Sequence, residues 1–78
     1  MTYTATFFTH FGALNLNRSL KKAGIPSRMM PVPRSLSASC GVCVSFEAAD
    51  PECSRGAEDL EAVYQQDSDG FRLLFQSE

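Results

Sequence analysis

The period of the apolar positions changes along the chain, and each change marks an element. Residues 3–8, Tyr-Thr-Ala-Thr-Phe-Phe, are aromatic and β-branched. They read as a strand with Tyr3, Ala5 and Phe7 on one face. Thr9 is the expected N-cap of a helix. From His10 to Ala23 the apolar residues Ala13, Leu16, Leu20 and Ala23 recur at helical spacing and form one stripe of that amphipathic helix. Lys21 and Lys22 suit its last turn, Gly24 its C-terminal cap, and Pro26 blocks continuation. Residues 27–33, Ser-Arg-Met-Met-Pro-Val-Pro, are extended. Pro31 and Pro33 donate no ladder hydrogen bond, so this segment belongs at a sheet edge. A Ser-rich loop over 34–40 leads into clean alternation over 41–46, with Val42, Val44 and Phe46 on one side and Cys43 and Ser45 on the other. After a turn region, Ala57, Leu60, Val63 and Tyr64 space like a second helix from Ser54 to about Gln66, with Glu58 and Asp59 in its first turn. Ser68-Asp69-Gly70 is a turn signal, and 71–76 reads as a last strand with Phe71, Leu73 and Phe75 on one face.

The resulting order, β-α-β-β-α-β, predicts an α+β fold of the ferredoxin-like plait type. Such a plait has a four-stranded antiparallel sheet with two helices on one face. Its first and third strands are central, and its second and fourth are edges. Residues 1–78 are expected to form a single small domain. The uncovered sheet face would carry Phe8, Cys43 and Leu74, a candidate contact surface for a second copy or a partner.

Composition changes this picture little. Hydrophobic content of 44% with 21% charged residues is that of a globular domain rather than a disordered one. The net charge of −2 speaks against a nucleic-acid binder. The cations Arg18, Lys21, Lys22, Arg28 and Arg34 precede all of the acids, which begin at Glu47, but are too dispersed for a phosphate track. No targeting segment and no apolar run of membrane-spanning length is apparent, so a cytoplasmic location is expected, with no membrane partner. There the three cysteines are expected to be reduced.

The candidate chemistry lies in Cys40-Gly41-Val42-Cys43. A dithiol redox pair normally opens a helix, where the dipole lowers the first thiol's pKa. Here the second cysteine falls inside a strand, and residues three apart on a strand point to opposite faces. Cys40, Cys43, Cys53 and His10 are all metal-ligand types, but only the first two have ligand spacing. No metal and no cofactor is expected. Cys43 and Cys53 suit small apolar filler. Cys40 differs, because it follows a polar loop and precedes a glycine that lets other groups approach the backbone. Arg34, Ser37 and Ser39 are placed to supply charge or hydrogen bonds to a thiolate at Cys40.

Phe8-Thr9-His10, Ala13-Leu14, Leu20-Lys21-Lys22-Ala23-Gly24-Ile25, Pro31-Val32-Pro33-Arg34, Ser37, Ser39-Cys40-Gly41, Val44 and Phe46 together resemble the putative selenium/sulfur carrier protein-like family. The resemblance spans roughly residues 3–75, and its most specific part is P-x-P-R-x-x-S-x-S-C-G. It implies a cytoplasmic domain whose cysteine carries sulfur or selenium as a persulfide or selenopersulfide. The family's cysteine–glycine pair falls on Cys40 and Gly41 and its arginine on Arg34, while Cys43, Cys53 and Ser54-Arg55-Gly56 stand outside the pattern. The leading expectation is a carrier thiol at Cys40 supported by Arg34, Ser37, Ser39 and Gly41. Such a protein is a cosubstrate between donor and acceptor proteins rather than a stand-alone enzyme. Two alternatives stay open: a non-catalytic interaction or regulatory module, which would pair through the open sheet face or an edge strand, and a redox protein using Cys40 with Cys43 as a second thiol.

Overall fold

A computed structural model describes residues 1–36 and 39–77. Strand β1 (Thr2–Phe7) leads into helix α1 (His10–Lys22), strand β2 (Ser27–Pro31) and strand β3 (Val42–Glu47). A 3₁₀ turn, Glu52–Ser54, precedes strands β4 (Leu60–Asp67) and β5 (Gly70–Gln76). The strands form one five-stranded sheet in the order β2-β3-β1-β4-β5, with every neighbouring pair antiparallel. Among the described residues no helix is long and apolar enough to cross a membrane.

The first half follows its sequence pattern. Tyr3, Ala5 and Phe7 of β1 share a face with Val44 and Phe46 of β3, and α1 lays Ala13, Leu16 and Leu20 over them. The Thr9 side chain caps α1 by accepting from the Gly12 backbone N–H at 3.1 Å. Gly12 is a glycine for space: a Cβ there would stand 2.6 Å from the Glu58 carbonyl oxygen. At the other end, the N–H groups of Gly24 and Ile25 close on the Lys21 and Leu20 carbonyls, with Gly24 at φ +80°. β2, with Pro31 at its end, lies on a sheet edge as its prolines require.

The second half corrects the predicted plait. Among the described residues it brings the sheet to five strands rather than four and leaves one α-helix rather than two. Residues 54–66 do not form a helix. Ser54 ends the 3₁₀ turn with its hydroxyl on the Pro51 carbonyl at 2.7 Å. Gly56 and Asp59 adopt φ of +85° and +61°, which a right-handed helix excludes. The chain from Leu60 then pairs with the free side of β1. A plait reserves that position for its last strand. Here β4 occupies it, and the expected last strand is displaced outward to become edge strand β5. The expected shared face of Phe71, Leu73 and Phe75 is also interrupted. Register slips between Val63 and Tyr64, so Phe75 opposes core-facing Val63 whereas Leu73 opposes Tyr64. In place of a second helix, residues 48–59 fold back over this side, where Ala57 packs on the core and the Arg55 guanidinium lies 4.1 Å from the Phe75 ring centre.

The face away from α1 is less open than the sequence suggested. Thr4, Thr6 and Cys43 lie there and are buried. Phe8 sits beyond the end of β1 and is exposed, and Leu74 is the unpaired residue of the β5 irregularity.

Candidate functional site

Residues 32–41 join β2 to β3, and the Val32 N–H closes their base by donating to the Gly41 carbonyl at 3.1 Å. Cys40-Gly41 therefore stands at the foot of this hairpin, against the first residue of β3, rather than at its tip. Gly41 has φ +78°, a left-handed conformation that favours glycine, and among the described residues, its chain neighbours aside, no atom lies within 4 Å of where a Cβ would project. Cys40 is half-buried and packs against the helix-side core. Its thiol donates to the Val42 carbonyl at 3.5 Å. A thiolate has no proton to give, so the nucleophilic form surrenders this bond.

The predicted supporting residues have separate placements. Arg34 lies in an exposed turn that the Leu36 N–H closes on the Pro33 carbonyl. Ser37 lies outside the described residues. Ser39 directs its donors away from Cys40: its backbone N–H reaches Glu61 Oε1 at 3.1 Å and its hydroxyl Glu61 Oε2 at 3.4 Å.

Glu61 is the residue that sequence reasoning missed. In β4, Leu60 opposes Phe7 and Ala62 opposes Thr6, which leaves Glu61 between them without a partner on β1. This β-bulge takes the side chain out of strict alternation. No local signal in the sequence marks it, because at helical spacing Glu61 reads as one more solvent-facing acid.

Cys43 lies on the other side of the sheet from the core that Cys40 packs against. It is fully buried, opposite Thr6 and Met30, and its thiol points to the Pro31 carbonyl at 3.9 Å. Burial, and secondarily the neighbouring Cys40, push its pKa up to about 11, so at neutral pH it stays a thiol. Cys53 is exposed in the 3₁₀ turn, its pKa raised chiefly by partial burial. All three cysteines are free, and among the described residues no three His, Cys, Asp or Glu side chains converge to hold a metal ion. Cys40, Cys43, Cys53 and His10 therefore do not form one centre. A polar cleft of 640 Å³ includes Arg28, Glu47 and Asp67, but it lies at the opposite end of the sheet from Cys40.

The family model described as "Putative Se/S carrier protein-like" matches residues 2–61. The match runs from β1 to the first residues of β4. It contains Arg34, Cys40 and Gly41, and it stops short of the region to about residue 75 that the sequence resemblance covered. No curated protein and no solved structure matches the chain.

Proposed function

The chain belongs to the Putative Se/S carrier protein-like family, and from that premise we propose that Cys40 is its carrier thiol. The observation that carries this reading is the placement of Cys40: half-buried against the core, at the foot of a hairpin, beside an exposed glycine whose Cβ position meets no other described residue. The core side holds the sulfur in place, and the exposed side admits a partner's backbone. The burial and raised pKa of Cys43 support Cys40 over it for the role, and Cys53 lies on another element.

The Cys40 thiolate attacks the terminal sulfur of a donor persulfide. A new S–S bond forms, the donor's S–S bond breaks, and its electron pair leaves with the donor thiolate. Cys40 then carries –S–SH. A nucleophile on the acceptor takes the terminal sulfur by the same displacement and returns Cys40 to its thiolate. Sulfur and selenium follow the same course, and no oxidant is consumed. Arg34, from the turn that precedes Cys40 in the chain, supplies charge to the anionic sulfur. The protein acts as a cosubstrate of its donor and acceptor proteins in the cytoplasm, where free cysteines persist. Edge strand β5, which exposes Leu73 and Leu74, provides a pairing edge for a second copy.

The test is the intact mass of the reduced protein after exposure to a cysteine desulfurase with cysteine, or to glutathione persulfide. Wild type is compared with Cys40→Ser, Cys43→Ser and Cys53→Ser. The expected result is a dithiothreitol-sensitive gain of one sulfur that disappears only in Cys40→Ser. A gain that survives Cys40→Ser, or no gain from either donor, overturns the assignment.

A further inference from the structure

We infer that Glu61 is a positioning residue for the Cys40 thiol. This inference rests on the reading of Cys40 as the carrier, but its geometry is independent of the cargo. Glu61 belongs to β4 and Cys40 to the segment before β3, and β1 lies between those strands in the sheet. Both oxygens of the Glu61 carboxylate span that gap to Ser39, the residue immediately before Cys40. One bond fixes the Ser39 backbone and the other its side chain, so the peptide entering Cys40 is held at two points. On its other side, Cys40 is followed by Gly41, whose carbonyl is held by Val32. The cysteine is thus pinned from both directions along the chain. Neither pin is a contact with the sulfur itself. The β-bulge gives Glu61 its reach, and its own carbonyl is anchored by the Ser77 N–H at 2.8 Å. Because Cys40 is half-buried, local opening of this segment increases a reagent's access to its sulfur, and the two Ser39 bonds oppose that opening.

The experiment is the alkylation rate of Cys40 by iodoacetamide between about pH 6 and 10.5, read by intact mass with Cys43 and Cys53 replaced by Ser. In that background Glu61→Ala is expected to raise the high-pH plateau about three- to tenfold while leaving the midpoint of the profile in place. Glu61→Gln keeps an oxygen for the Ser39 N–H and is expected to stay near the starting rate. Ser39→Ala, which removes only the hydroxyl bond, falls between them. Circular dichroism and a thermal midpoint verify the fold, and if Glu61→Ala does not fold, the Ser39→Ala result decides. An unchanged plateau in the folded variants overturns the inference. So does a Glu61→Gln profile that matches Glu61→Ala with a shifted midpoint, because the carboxylate would then act through its charge. Alkylation needs no persulfide, so the clamp and the carrier role stand or fall separately.

Discussion

The two halves of the sheet are held in different ways. In the half made of β2, β3 and β1, helix α1 covers one face, and every residue of β1 after Thr2 is buried. In the other half, no residue of β5 is fully buried, and the cover is a loop with Arg55 laid over Phe75. The first half is a split β-α-β unit that supplies most of the apolar core, to which β4 adds Leu60 and Val63. The second is a hairpin that borrows the outer edge of that unit. The family match follows this division, since it ends at residue 61, just inside β4. The candidate chemistry follows it too. Cys40 and Arg34 belong to the helix-covered half, and the hairpin contributes one carboxylate.

Truncating one phenylalanine in each half tests this contrast most strongly. Phe7 is fully buried at the centre of the core, and Phe7→Ala is expected to lower stability by about 3–5 kcal/mol. Half-buried Phe75 on β5 is expected to lose about 1–2 kcal/mol as Phe75→Ala. Urea denaturation of both variants measures the gap, and equal losses would mean that β5 is packed as tightly as β1. Next in size is the joint between the halves. Gly12 of α1 packs so closely on Glu58 and Asp59 that Gly12→Ala is expected to cost about 2 kcal/mol, although alanine is the better helix former. A neutral or stabilising result in the same denaturation experiment would show that the loop over 48–59 yields freely.

The smallest of these effects concerns burial on the face without a helix. Cys43 has a folded pKa of about 11 against an ordinary 9.0. The folded state therefore holds its proton more tightly than the unfolded state. The corresponding stability is complete below about pH 8 and declines as pH rises from 9 toward 11, with about 1 kcal/mol lost by pH 10. Stability–pH curves of wild type and Cys43→Ala should diverge only above about pH 9. Parallel curves would mean that water reaches Cys43, and that this face is open after all.

Most of the helix-covered half was legible because its periods are unbroken. Tyr3, Ala5 and Phe7 alternate in β1, Val42, Val44 and Phe46 alternate in β3, and Leu16 and Leu20 recur at helical spacing in α1. Residues 54–66 misled for a physical reason. Leu60 and Val63 are three apart, a spacing that reads as one helix face, yet they lie on one face of a strand because the bulge at Glu61 adds a residue between them. Tyr64, which fits the same helical stripe by spacing, points to the other side. A bulge and a helical turn share this signature, and only the long-range partner decides between them. Here the partner is β1, whose second edge needs hydrogen bonds. The same limit applies at the site. Cys40, Gly41 and Arg34 announce themselves through local composition, whereas the pairing of Ser39 with Glu61 spans 22 residues and has no local trace.

The bulge has a consequence that can be put in genetic terms. One codon, that of Glu61, both offsets the ladder and supplies the carboxylate that reaches Ser39. Deleting it would restore regular pairing between β1 and β4 and leave Leu60 two positions from Val63, still on the same face. It would also erase the tether beside Cys40. Strand register and thiol placement are therefore inherited together, and an in-frame deletion at this position cannot alter one without the other.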